Sequence, residues 1–273
     1  MKLKVINFHL LKIYLKVWFH LAKLRFIDQI VNTRLGGLFF ILGKFTRLLF
    51  QTFFLFILLR QTHQLVGYTF YQTLFILSLL NLSSTLIQMM LRGVYLFRDH
   101  IINGTFDFFL LNPLNELFYS LFSYFDPLDF FMLIPSLTFL FFVWFKLDLS
   151  FTLTHFFILI SFLLIAFIFA LSWHILAISF GIKFFEVDNL ILIYRDLEKM
   201  GRFPIEIYNH IWQFILTYLT PTAVMATIPV KVLLGKQPFL PSFSLSFVLT
   251  GSSLILSLFL WRFSLRSYSS ASS

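Results

Sequence analysis

RDHIINGTFDFFLLNPLNELFYSLFSYFDPLD, residues 98–129, decides how the chain is organised. It is the first place after the N-terminal segment where a strongly apolar sequence gives way to Asp, Asn, Gly, Pro and Glu at close spacing. Runs long enough to cross a bilayer flank it on both sides. A polar, turn-rich segment held between such runs has to emerge from the membrane, because irregular backbone is not tolerated against lipid. Asp99, Asp107, Glu116, Asp126 and Asp129 then face water or another protein.

Composition leads to the same class. The 273 residues are 59% hydrophobic and only 12% charged, with a mean hydropathy of +0.88. Soluble domains carry about 25% charged residues, so a soluble fold would lack polar surface to cover itself. The expected fold is all-α: a polytopic integral membrane protein forming one transmembrane domain over residues 1–273. The 41 Phe are ascribed to codon bias, since Phe packs against lipid as well as Leu does. The lack of cysteine excludes disulfides, thiolate nucleophiles and cysteine metal sites. In so apolar a chain the net charge of +9 marks the cytoplasmic side of a membrane rather than nucleic acid. Lysines 2, 4, 12, 16 and 23 leave no clean apolar core before a cleavage site, so no signal peptide is expected.

Residues 5–30 have helical periodicity. His9, Lys12, Lys16, His20 and Lys23 share one face and Leu10, Tyr14, Val17, Trp18 and Leu21 the other. Such a basic amphipathic helix, within residues 1–34, suits the plane of an anionic membrane surface; a helix that binds a soluble partner is the alternative. Six segments then satisfy the ~20-residue rule for a span: 35–59, 66–91, 127–145, 151–180, 207–229 and 239–261. Lys44 and Arg47 in the first are costly at membrane depth, so either that span begins near Leu48 or both side chains snorkel. Pro221 and Pro229, followed by Gly235, predict that the fifth is broken or re-entrant. Residues 262–273 are expected to be a flexible cytoplasmic tail.

Placing both termini in the cytoplasm gives that side fifteen Lys and Arg against four outside, which fits the positive-inside bias. Residues 92–126 are then a cytoplasmic loop. So is the connection between the fourth and fifth spans, with Lys183, Arg195, Lys199 and Arg202.

Chemistry is sparse. The seven histidines form no pair at metal-ligand spacing, and His174, deep in the fourth span, is either a proton relay or a packing residue. Asn81, Ser84, Thr85 and Gln88 recur at i, i+3, i+4 and i+7, a polar stripe that serves a helix interface or lines a pathway. There is no nucleotide-binding loop: Gly235-Lys236 is followed by Gln237, and Val230 stands where its first Gly belongs. The sequons at Asn81 and Asn103 fall in a span and on the cytoplasmic side, so neither is taken as glycosylated. No catalytic set is present; the chain is expected not to be an enzyme and to bind no metal or cofactor itself.

Two motifs resemble those of ABC-2-type transporter permeases, specifically the six-span permeases of bacterial exporters whose ATPase is a separate chain. One is Gly104-x-Phe106-Asp107-x-x-Leu110-Leu111-x-Pro113-Leu114-Asn115, then Leu117-Phe118, Phe125-Asp126 and Asp129. The other is Pro204-Ile205-x-Ile207-Tyr208, Leu216-Thr217, Pro221, Pro229 and Leu233-Leu234-Gly235-Lys236. With the basic N-terminal helix and the span count, the resemblance covers nearly the whole chain. It implies a permease paired with a second copy or a sister permease, surrounded by membrane lipids and resting on ABC ATPase subunits that hold ATP and Mg. It places the coupling helix in the first cytoplasmic loop, with Arg98, Asp99, Gly104, Asp107, Pro113, Asn115 and Glu116 as candidates. Asn112 departs from the Arg or Lys usual before the Pro. The expected location is a bacterial cytoplasmic (inner) membrane or an organelle membrane of prokaryotic descent.

Two other classes stand beside the exporter. A membrane-embedded lipid-modifying enzyme would want paired acids or His near the headgroup level of several spans, and a non-transporting membrane assembly factor is the third. The acids concentrate at 99–129 and 186–206, which suits protein docking. A Phe-rich pathway hints at lipophilic cargo.

Overall fold

The computed structural model describes residues 8–32, 34–184 and 187–268. Among them the chain is almost wholly helical, and the helices form one bundle with two ends. Five helices are long and apolar enough to cross a membrane, six if one bent pair counts as a span. α1 (Phe8–Asn32) and α2 (Arg34–Thr62) are followed by a tight turn in which His63, Val66 and Gly67 all have positive φ. The second crossing, α3 (Phe70–Leu91), therefore starts four residues later than its apolar run suggests. Thr69 closes it with a capping box, accepting from Gln72 N while the Gln72 side chain accepts from Thr69 N.

A 3-10 turn (Arg92–Leu96) leads from α3 into three short helices, α4 (Phe97–Ile102), α5 (Phe106–Leu111) and α6 (Glu116–Phe122). Asp126 then caps α7 (Pro127–Lys146), accepting from the backbone of Leu128 and Asp129, with Pro127 in the first turn where its missing N–H costs nothing. α8 (Leu153–Phe184) returns. α12 (Phe239–Arg266) ends the described helices, so residues 262–266, predicted to begin a flexible tail, are its last turn; residues 269–273 of that predicted tail lie outside the described part, as do Lys2, Lys4 and Glu186.

α3 is the central helix, buried along most of its length, and packs chiefly on α7; α8 packs chiefly on α12. Within a bilayer, lipid competes with any apolar side chain, so close contact comes from small residues that let backbones approach. α12 buries Ser242, Ser246, Thr250, Ser257 and Ser264, one side of the helix, and α8 buries Ala166, Ala170, Ala177 and Gly181. The α3–α7 contact adds the edge-on pair Phe75–Trp144 at 5.5 Å, a geometry worth about 0.5–1.5 kcal/mol beyond burial.

Three expectations need correction. The connection after the fourth span is not a cytoplasmic loop. It forms α9 (Val187–Met200), whose first turn meets α4 through Asp188 and Arg98 at 3.4 Å, and whose last turn reaches Ser84, two thirds of the way along α3. Six residues past its end, Glu206 pairs with Lys231 and accepts from Tyr68 in the α2–α3 turn at the opposite end. Residues 187–206 thus run the length of the bundle. Arg195, Lys199 and Arg202 leave the cytoplasmic tally, and Lys183 stays.

The predicted fifth span, 207–229, is broken, as its prolines predict, but its helices run on to Leu233. It is a helical hairpin: α10 (His210–Phe214) continues into a π-helical turn (Ile215–Leu219), the chain bends by 78° over residues 220–222, and a second π-helical turn (Ala223–Thr227) leads back through α11 (Ile228–Leu233). Both arms start from the Glu206–Lys231 end. The tip, at Leu219–Thr222, meets Trp173 of α8 and Leu197 of α9.

Lys44 and Arg47, finally, neither shorten α2 nor snorkel. α2 is helical from Arg34 onward; Lys44 turns into the bundle to meet Asp129, and Arg47, exposed on one side, lines a cavity against α3.

Candidate functional site

The segment between α3 and α7 is built by its own polar residues. Gly104 takes φ +69°, a backbone shape that a side chain disfavours, and lets α5 fold back on α4. Asn112, before Pro113, is held extended as a pre-proline residue must be, and its Oδ1 accepts from Leu114 N at 3.2 Å. Asn115 caps α6 by accepting from Leu117 and Phe118 N, and Glu116 occupies the first turn, where a carboxylate suits the helix dipole. Four of the candidates are therefore engaged in shaping the segment. Arg98 is tied to Asp188, and Asp107 accepts from Tyr268 Oη at 2.9 Å, just after α12.

What the segment presents outward is apolar. On α5, Phe106 is fully buried against Phe97, Trp261 and Tyr268, whereas Phe108 is 69% and Leu111 81% exposed. α1 lies against the same region. Its predicted apolar face packs on the protein: Tyr14 meets Phe118 edge-on at 4.7 Å and its Oη accepts from Asn115 N at 3.0 Å, and Trp18 meets Phe125. The outer face of α1 is mixed, with Leu15, Phe19 and Leu24 exposed among the lysines.

A second constellation lies at mid-depth. The predicted α3 stripe faces protein. Asn81 and Thr85 satisfy themselves largely on the preceding turn, donating to Leu77 O and Asn81 O. Ser84 and Gln88 enter a chain of hydrogen bonds: Lys44 Nζ is paired with Asp129 and donates to Gln88 Oε1 at 3.3 Å, Gln88 Nε2 donates to Ser84 Oγ at 3.2 Å, and Ser84 Oγ donates to Glu198. This chain joins α2, α3, α7 and α9. Arg47, Gln51, Arg195 and Arg202 complete a small polar cavity of about 30 Å³ around Glu198, room for about one water. Lys199, also at its wall, is paired with Asp196 at 2.6 Å.

His174 is buried among Tyr95, Tyr194 and the α8 backbone, with Nδ1 2.8 Å from Ala170 O, and does not reach this cavity. Pro221 sits at the hairpin bend. Pro229 lies in the first turn of α11, and Gly235, φ +68°, ends it. Among the described residues no group of three His, Asp or Glu could hold a metal ion.

The residues that sequence reasoning missed are those of α9. Their signal is present: Arg195 and Glu198 fall at i and i+3 on one helical face, with Ile191 and Tyr194 buried beside them and Arg202 in the turn that follows. Five charges in fourteen residues hide a crossing from any hydropathy criterion.

The bundle and its apolar spans define a polytopic helical membrane protein. A family model described as "ABC-2 family transporter protein" matches residues 45–272, and the chain belongs to that family. No curated protein and no solved structure matches it.

Proposed function

We propose that this chain is the membrane half of an ATP-driven exporter whose ATPase is a separate polypeptide. Membership of the family supports a permease subunit of an ABC transporter, a transport component rather than an enzyme in itself. The observation that carries the finer reading is the outward pair Phe108 and Leu111 on α5. In a water-facing loop, two large apolar side chains exposed beside buried Phe106 suit a partner that covers them, as hot-spot anchors do. The arrangement also gives such a partner leverage. α5 and α6 continue through Asp126 into α7, and Asp107 holds the end of α12, so a rigid-body push on α5 reaches two crossings at once.

In this reading ATP and Mg are bound by the partner, and the chain pairs with a second copy or a sister permease in a bacterial cytoplasmic membrane or one of prokaryotic descent. No nucleic acid is involved. Gentle purification of the tagged protein from native membranes is expected to recover an ATPase chain. Recovery of none, under conditions that keep other membrane complexes intact, would overturn the reading.

A further inference from the structure

We infer that the flank between α2 and α9 is a binding site for an anionic, phosphate-headed lipid, its head held by Arg47 and Arg202 and its chain laid against Phe50, Phe54 and Phe203. The inference deepens the permease reading, since it names a ligand for the face on which the polar centre opens.

The first support is a charge imbalance. Arg47, Arg195 and Arg202 surround one carboxylate, Glu198, which accepts from Ser84. None of the three guanidiniums makes a hydrogen bond or ion pair with another side chain among the described residues. The other nearby acids are committed: Asp129 to Lys44, Asp196 to Lys199 and Glu206 to Lys231. With Lys199 cancelled by Asp196, the cavity keeps an excess of two positive charges. Arg47 lies within the apolar span of α2, one turn beyond Lys44, and charge inside a span requires a counter-charge. A second copy of this chain would bring the same excess with it.

The second support is shape. A cavity of about 470 Å³ adjoins the polar one and shares Arg47, Gln51, Leu77 and Arg202 with it. Its other walls are Phe50, Phe54, Leu55 and Phe203. Phe50 and Phe54 are exposed along α2, a helix that is apolar and bare on this flank. An aromatic groove ending in two guanidiniums matches an amphiphile with one anionic end. Arg is suited to the head, since its fork takes two phosphate oxygens at once.

The test is retention of lipid by the purified permease, read by native mass spectrometry with phosphatidylglycerol and phosphatidylcholine of equal chain length, and with inorganic phosphate as competitor. The wild type is expected to prefer phosphatidylglycerol by about tenfold or more, the effect of one charge-assisted hydrogen bond. The preference should vanish in Arg47→Gln/Arg202→Gln, and phosphatidylglycerol retention should fall in Phe50→Ala/Phe54→Ala. Equal retention of the two lipids by the wild type overturns the inference, and that measurement needs no variant to fold. Preference unchanged in the arginine variant overturns the site. Displacement by phosphate as strong as by lipid overturns the aromatic half. ATPase capture is scored separately: lipid preference without a captured ATPase sinks the exporter reading and leaves this site standing, and the converse result sinks only the site.

Discussion

Lys44 and Asp129, 85 residues apart, form an ion pair in which the carboxylate is fully buried and the ammonium nearly so. The pair ties the middle of α2 to the first turn of α7, directly after the cytoplasmic segment. Removing one partner strands the other charge away from water, at a cost of about 3–5 kcal/mol for such pairs. Asp129→Ala and Lys44→Met are each expected to destabilise the protein by that order, and the double variant by less than either. Unfolding in SDS titrations of the four proteins completes the cycle; additive losses would show that the pair is not a unit.

Gly181 marks the place where α8 and α9 come closest. A Cβ there would overlap the Val187 side chain, which is fully buried. Gly181→Ala is expected to cost roughly 1–3 kcal/mol by overpacking. Gly181→Ala/Val187→Ala should recover part of that loss in the same SDS assay. Failure to recover would locate the strain elsewhere.

The apolar tip of α5 separates docking from folding. Phe108→Ser and Leu111→Asp remove exposed side chains, so membrane insertion and thermal stability should stay within about 0.5 kcal/mol of wild type. Capture of the ATPase should fall about thirtyfold, the effect of a 2 kcal/mol anchor. Asp107→Lys is a different experiment, because it also breaks the bond to Tyr268. It should loosen the end of α12 as well as weaken capture.

Tyr268 supplies a pH dependence. Burial, together with its hydrogen bond to Asp107 and that residue's charge, pushes the phenol up from about 10 to about 12. A raised pKa in the folded state means that the folded protein prefers the protonated phenol. The stabilisation is therefore complete below pH 10 and is lost as the pH climbs from 10 to 12. Phenolate absorbance should show one fewer late-titrating tyrosine in Asp107→Asn than in the wild type. Titration of that tyrosine near pH 10 in the wild type would contradict the contact.

Much of this architecture is legible in the sequence because lipid imposes a simple rule. α3, α7, α8 and α12 are each about twenty or more apolar residues between polar punctuation, and each forms where that pattern predicts. Pro221 likewise announces the bend at residues 220–222. The polar centre escapes for a physical reason: its members satisfy one another across the bundle, not along the chain. Lys44 looks too costly for a span until Asp129 is placed beside it. Arg195 and Glu198 look like a cytoplasmic loop until Ser84 is found against them. Hydropathy weighs each residue against lipid, whereas these residues never meet lipid on the side that matters.

The charged character of α9 also governs how the chain is made. A helix with Asp188, Arg195, Asp196, Glu198 and Lys199 cannot leave the translocon for lipid on its own, since each such charge costs about 2.5–3.5 kcal/mol at mid-membrane. It can enter only beside partners already in place, α8 to hold its first turn and α3 to offer Ser84. α9 is thus expected to take its place after the apolar spans have inserted, and the hairpin behind it to wait for the same step, which would be a late checkpoint in biogenesis. Because the chain contains no cysteine, a single one placed at Leu192 or Ile193, both exposed on α9, reports by thiol labelling during synthesis when that checkpoint is passed.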